Sequence, residues 1–131
     1  MPEITVGDLL NDRGYRLDVE LLAGGAGLPN GIRVPRIQKP GLALAGYTEQ
    51  VRPHRVQILG ATEISYLDTL SAERRDGSVR RVFGIGVACF VVTKGLPVAP
   101  VFLEEAERTR TPLLRTALRS SVFIERISRY L

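Results

Sequence analysis

Two glycine patterns, a single cysteine, a single histidine and a run of glutamates are the residues whose types and spacing bear on chemistry. Gly41-Leu-Ala-Leu-Ala-Gly46 has the paired glycines of a phosphate-cradling loop. Such a loop needs Lys and then Ser or Thr directly after the second glycine, and Tyr47-Thr48 stand there instead. Without an ammonium to reach the terminal phosphates, nucleotide hydrolysis at this loop is excluded. Gly84-Ile-Gly86 opens like a dinucleotide fingerprint, but Cys89 takes the third glycine position and the pattern precedes a strand where it should follow one. Cys89 and His54 would make a nucleophile and base only if the fold joined them. Cys89 lies between Ala88 and Phe90 in an apolar run, where a free thiol is an inert core residue, and His54 belongs to the polar loop Arg52-Pro53-His54-Arg55. The sequence therefore favours a structural cysteine and an exposed histidine over a hydrolase pair. Glu104, Glu105 and Glu107 share a segment with Arg108 and Arg110, the pattern of a solvated, ion-pairing face and not of catalytic carboxylates. One Cys and one His cannot supply the four ligands of a structural zinc site.

Two polar clusters fall where α/β sheets place ligands, just past the carboxyl ends of strands. Thr93-Lys94-Gly95 follows the strongest strand pattern in the chain, Val87 to Thr93, and Arg115-Thr116 follows a short one, Leu113 to Arg115. Lys39-Pro40-Gly41 comes after an expected strand ending at Ile37. If these strands are neighbours, Lys39, Lys94 and Arg115 converge on an anion, with Gly41, Thr93, Gly95 and Thr116 beside them. The plainer reading is a set of loop charges at turns.

The elements that would position these groups alternate. Thr5 and Asp8 are spaced as a capping box for a first helix carrying Val6, Leu9 and Leu10 and stopping near Gly14. Strands are expected over Leu17–Leu22, Ile32–Ile37 and Val56–Leu59, around a Gly/Pro/Asn turn region from Ala23 to Gly31, and a short helix over Leu42–Tyr47. Gly60 opens a helix with Ile64, Leu67 and Leu70 on one side. Ala72 to Arg81, with its Asp76-Gly77 turn signal, reads as a solvent-facing loop or frayed helix end. Pro100 sits at the start of a helix from Val101 to Arg108, with Leu103 and Ala106 inward and the glutamates outward. A last helix from Ser120 or Ser121 aligns Phe123, Ile124, Ile127, Tyr130 and Leu131. Strands alternating with helices, two of them continuous apolar runs buried on both faces, predict a layered α/β fold with a largely parallel sheet.

At 131 residues and 44% hydrophobic, the chain is one domain with enough apolar surface for a core, which excludes a disordered or multidomain protein. The longest apolar stretch, Val82 to Val92, is broken by two glycines and falls far short of a membrane span. No signal-peptide pattern opens the chain, so a cytoplasmic location is expected. The net charge of +4 invites a nucleic-acid reading, but the excess lies at the C-terminal end, where Arg108, Arg110, Arg115, Arg119, Arg126 and Arg129 face only Glu125. No aromatic residues interleave with them as a base-reading surface would need, so no nucleic-acid partner is expected. The apolar stripe of the last helix runs to Leu131 without a stop signal, the pattern of a domain continuing into a longer protein.

The blocks Lys39-Pro-Gly-Leu-Ala-Leu-Ala-Gly-Tyr47, Arg55-Val-Gln-Ile-Leu-Gly60 with Thr62-Glu63, Val91-Val-Thr-Lys-Gly95 and Pro112-Leu-Leu-Arg-Thr116 occur in one order between Ile4-Thr-Val-Gly-Asp-Leu9 and Phe123-Ile124 to Tyr130-Leu131. Together they resemble the N-terminal domain of bacterial HPr kinase/phosphorylase. Ser71 to Gly84 and Pro35 to Gln38 depart from that pattern. The resemblance implies an α/β domain similar to the first domain of the Mur ligases, where that domain contacts a UDP-sugar. It also implies a hexameric parent protein that uses ATP or pyrophosphate to phosphorylate a serine of HPr, and removes the phosphate by phosphorolysis, in carbon catabolite repression. ATP and Mg2+ would belong to a C-terminal P-loop domain outside this chain, so no catalytic, cofactor or metal residue carries over. The implied partners are that kinase domain and HPr. The expected role is a non-catalytic accessory or regulatory domain, with a module sensing a phosphorylated metabolite or nucleotide as the alternative.

Overall fold

The computed structural model describes residues 4–33, 37–38 and 54–131. The expected helix over Leu42–Tyr47, and the candidate residues Lys39 and Gly41, lie outside the described residues. The elements run α1 (Val6–Asn11), β1 (Val19–Ala23), a 3-10 turn (Gly25–Gly27), β2 (Ile37–Gln38), β3 (Val56–Leu59), α2 (Ala61–Asp68), α3 (Ala72–Phe83), β4 (Cys89–Val92), α4 (Pro100–Thr109), β5 (Leu113–Thr116) and α5 (Ser120–Tyr130). The five strands form one sheet in the order β1-β5-β4-β3-β2. The last four are parallel, and β1 closes one edge antiparallel to β5. The largely parallel α/β expectation is met.

Alternation along the strands builds two cores, one on each face of the sheet. Leu59, Phe90, Val92 and Leu113 pack with Ile64 and Leu67 of α2, Val79, Val82 and Phe83 of α3, and Phe102 and Ala106 of α4. Val56, Ile58, Cys89, Val91 and Leu114 face the other way, onto Val6 and Leu9 of α1 and Phe123 and Ile127 of α5. Every residue of β3 and β4 is buried, the polar Gln57 of β3 included, because both strands are covered on both faces. The capping box at α1 is present in full: Asp8 N–H donates to Thr5 Oγ1 at 3.1 Å and Thr5 N–H to Asp8 Oδ2 at 2.9 Å.

Four expectations are corrected. Ala72 to Arg81 is not a loop but the body of the twelve-residue α3, capped by Ser71, whose Oγ accepts from Arg74 N–H at 3.3 Å. Its buried residues are Ser78, Val79, Val82 and Phe83, a narrow stripe in an otherwise charged segment, and tertiary packing of that stripe outweighs the local turn preference of Asp76-Gly77. The strand expected over Leu17–Leu22 begins at Val19, because Arg16 and Asp18 take left-handed φ values of 52° and 51°. Between Ile32 and Ile37, the described strand is Ile37–Gln38; Ile32 is buried outside it, donating its N–H to Ile4 O at 2.7 Å. On α4 the inward residues are Val101, Phe102, Glu105 and Ala106, while Leu103 is 41% exposed.

The inward turn of Glu105 is possible because Arg108 neutralises it. Arg108 Nε donates to Glu105 Oε2 at 2.9 Å and Nη2 to Oε1 at 2.7 Å, a bidentate pair with the carboxylate buried and the guanidinium largely in water. These hydrogen bonds hold the Glu105 carboxyl below its ordinary range, against the opposing effect of burial. A lowered folded value means that the pair's stabilisation is present above the ordinary carboxylate pKa of 4.5 and fades as pH falls through the lowered value. Glu105→Gln is therefore expected to cost about 1 kcal/mol at pH 7, a figure kept small by the solvation of Arg108. Urea unfolding of both proteins from pH 7 down to about pH 3 should show the difference shrinking in the acid range.

Candidate functional site

The described members of the predicted cluster lie at the carboxyl ends of β4 and β5, which are adjacent parallel strands. Gly95 and Arg115 line one open cleft of about 490 Å3 there, together with Asp18 and Glu20. The polar groups around it are largely spent on holding the chain. Thr93, fully buried, shares a hydrogen bond with Ser120 Oγ at 2.7 Å and ties the end of β4 to the start of α5. Thr116 donates its hydroxyl to Leu17 O at 3.1 Å and accepts from Leu118 N–H at 3.2 Å. The amides of Lys94 and Gly95 donate to Leu118 O and Thr116 O, both at 2.8 Å. Lys94 and Gly95 are both left-handed, with φ of 59° and 60°, so the turn is fixed by backbone geometry as well as by these bonds.

The charge of this cleft is compensated. Arg115 Nε lies 3.0 Å and Nη2 2.9 Å from Glu20 Oε1, across the β1–β5 pair, and Asp18 borders the same space. Lys94 is exposed, next to Gly95 in the turn. The fold thus brings Thr93, Lys94, Gly95, Arg115 and Thr116 to one end of the sheet, with both threonine hydroxyls and both turn amides already bonded within the chain.

The remaining chemistry-bearing residues have structural surroundings. Cys89 is fully buried in the core under α1 and α5, with Phe90 next to it facing the opposite core, and desolvation pushes its thiol up to about 12. A thiol with so little thiolate at neutral pH is not a nucleophile, which removes the hydrolase pair. Glu107 Oε1 accepts from Gly24 N–H at 2.9 Å, fastening the turn after β1 to α4. Among the described residues no group of three His, Cys, Asp or Glu side chains is placed to hold a metal ion. No helix among them is long and apolar enough to cross a membrane.

A second cleft, of about 470 Å3, lies at the opposite end of the sheet, where β3, β4 and β5 begin. Arg33, His54 and Arg110 line it, with Asn30 and the Gly86–Ala88 and Thr109–Thr111 segments. His54 is half-buried and not fully exposed, with its Nε2 3.4 Å from Arg33 Nη1. Sequence reasoning passed over this end because ligands of parallel sheets are sought past carboxyl ends. The available signal was that a cation or histidine stands two or three residues before two of the three central strands.

Taken together, the layers and strand order define a three-layer α/β domain with a mostly parallel sheet. The family described as HPr Serine kinase N terminus matches residues 4–131, and the chain belongs to it. A Geobacter sulfurreducens HPr kinase/phosphorylase is 48% identical over 128 residues, 98% of this chain and 40% of that protein. A Neisseria meningitidis HPr kinase/phosphorylase is 32% identical over the whole chain and 41% of its own length. The chain thus spans about two-fifths of the curated relatives it matches, and corresponds to their N-terminal region. Among solved structures, the CBS and DRTGG domains of the regulatory region of Clostridium perfringens pyrophosphatase, complexed with the activator diadenosine tetraphosphate, share the fold. The TM-score is 0.60 at 15% identity, over 88% of this chain and 44% of that one.

Proposed function

We propose that this chain is a non-catalytic, regulatory domain of an HPr kinase/phosphorylase, orienting or modulating a kinase core that phosphorylates and dephosphorylates a serine of HPr. The observation that carries the reading is the match of residues 4–131 to the N-terminal family, over two-fifths of the length of relatives that bear the enzyme's name. It is supported by the absence of a Lys after Gly41-Leu-Ala-Leu-Ala-Gly46 and by the internal bonding of the threonines and amides at the strand ends. On this reading ATP and Mg2+ act in a companion P-loop domain, that domain and HPr are the partners, and the whole protein works as a cytoplasmic hexamer.

The experiment has two arms. The chain alone, incubated with ATP, Mg2+ and HPr, is expected to leave HPr unmodified by mass spectrometry; transfer of phosphate overturns the reading. Removing the corresponding region from the Geobacter sulfurreducens relative is expected to leave HPr phosphorylation in place and alter its regulation or assembly. A truncated enzyme identical to the parent in rate, effector response and number of subunits overturns the regulatory role.

The fold shared with a regulatory region seen with its activator favours a second reading, a ligand-sensing module for a phosphorylated metabolite or nucleotide at Lys39, Lys94 and Arg115. The layered architecture also accords with similarity to the first domain of the Mur ligases, a nucleotide-sugar-contacting fold. A ligand at a hundred times its dissociation constant would add about 2.7 kcal/mol to stability, so a thermal-unfolding panel of nucleotides and phosphosugars tests it. Silence across the panel removes it.

A further inference from the structure

The β1 edge of the sheet is open among the described residues. β1 pairs with β5 on one side only, and the backbone N–H and C=O groups of Val19 to Ala23 that point the other way meet no partner there. Bonding resumes at Gly24, whose N–H is held by Glu107 Oε1. An unpaired edge is a template for another extended strand, and proteins blunt such edges with Lys, Pro, bulges or covering elements. β1 has neither Lys nor Pro, and its register breaks only between Leu21 and Ala23. Its one charge, Glu20, is already neutralised by Arg115 at 2.9 Å.

Exposed leucines border that edge on both faces of the sheet. Of the four large apolar side chains exposed among the described residues, two are Leu21, at 37%, and Leu103, at 41%. Leu21 stands opposite Leu114 across the β1–β5 pair, and Leu114 belongs to the core under α1 and α5, so Leu21 lies on that face. Leu103 is on α4, which covers the opposite face and packs against both α3 and β1. Glu105 marks the flank of α4 turned toward α3, since the charge of Arg80 on α3 acts on its carboxylate. Leu103 is about 200° around the helix from Glu105, on the flank beside β1. Glu107, one turn further along α4, reaches Gly24 at the end of β1, which fixes that flank at the open edge.

We propose that β1 pairs antiparallel with β1 of a second copy of this chain about a twofold axis, with Leu21 opposite its own counterpart, joining two five-stranded sheets into one. The edge itself specifies this occupant: an antiparallel strand supplies the missing hydrogen bonds, and a twofold axis sets the leucine-bordered surface against itself. Centring on Leu21 keeps the two Glu20 carboxylates from facing each other directly, and each retains its own Arg115, so the pairing brings together no unneutralised charge on the strands. The edge is about 17 Å long, too short to bury the roughly 1,200 Å2 of a stable interface, so the pairing is weak in the isolated chain. The regulatory role proposed above stands with or without this contact, since a kinase core can be modulated by unpaired domains.

Sedimentation equilibrium of the chain at concentrations up to about 1 mM tests the pairing, with a monomer–dimer equilibrium of dissociation constant about 1 mM or tighter expected. Leu21→Asp and Leu103→Asp should each weaken it about tenfold or more, whereas Tyr66→Asp, at an exposed position on α2, leaves it unchanged. A melting temperature within about 2 °C of the parent keeps each comparison free of unfolding, and Leu103→Asp carries the test alone if Leu21→Asp melts lower. The register is read by Leu21→Cys. Facing residues of antiparallel strands have Cα atoms about 4.5 to 5.5 Å apart, a span that a disulfide fits. Mild oxidation should therefore give a covalent dimer about tenfold faster than for Tyr66→Cys, while the native Cys89 is buried and takes no part. A chain that stays monomeric at every concentration, a dimer that survives Leu103→Asp, or a Leu21→Cys protein that crosslinks no faster than Tyr66→Cys overturns the proposal.

Discussion

Gly24→Ala is expected to remove most of the stability of the domain, about 4 kcal/mol or more, whereas Gly77→Ala should raise it by about 0.5 to 1 kcal/mol. The two glycines differ in what surrounds them. Gly24 has φ of 79°, and a Cβ there would lie 2.2 Å from Thr111 O, 2.7 Å from Thr111 C and 2.9 Å from Pro112 Cα. All three are backbone atoms of the segment entering β5, so relief requires moving the strand and not rotating a side chain. The Gly24 N–H is also committed to Glu107 Oε1, which pins the turn from α4. Overpacking, a left-handed non-glycine residue and a disturbed buried bond add up, and against a total of about 5 to 15 kcal/mol for a domain they leave little. Gly77 is helical and has nothing within 4 Å of its would-be Cβ, so alanine there only reduces the freedom of the unfolded chain and improves helix propensity. Urea unfolding at pH 7 measures both. A destabilised Gly77→Ala protein would mean that α3 is not helical at that point.

That second substitution bears on what the sequence could and could not disclose. The strands β3 and β4, the Gly60 start of α2, the Pro100 start of α4 and the Thr5–Asp8 box were legible because each is written in a local rule: an uninterrupted apolar run, a proline at a helix start, a cap at fixed spacing. Helix α3 was not, since its local signals point to a turn and its stripe of Val79, Val82 and Phe83 matters only once a sheet lies beneath it. Glu105 failed for a related reason. Polarity alone sends a glutamate to the surface, and only the bidentate Arg108 lets it face inward while Leu103 turns out. The rule for parallel sheets directs attention to the carboxyl ends of β4 and β5, but no local pattern foretold that Glu20 from the antiparallel edge strand would pair with Arg115. That pairing joins residues far apart in the chain. The amino-end cleft was missed on the same ground, because Arg33, His54 and Arg110 meet only when three loops are folded together.

Phe90→Ala is expected to cost about 3 to 5 kcal/mol and lower the melting temperature by about 10 °C or more. Phe90 is fully buried at the centre of the sheet, its ring 4.4 Å from that of Phe83 and tilted 37°, with Phe102 6.1 Å from Phe83 at 78°. Because β4 is flanked by β3 and β5, the backbone cannot close over the space left by the ring, and α3 and α4 would have to shift instead. A double-mutant cycle with Phe83→Ala should return a coupling of about 0.5 to 1.5 kcal/mol for the ring pair. Cys89→Ala, one residue along, faces α1 and α5 and removes a single sulfur, so a loss nearer 1 kcal/mol is expected and should add independently to Phe90→Ala. Strong coupling between Cys89 and Phe83 would contradict two cores separated by the sheet.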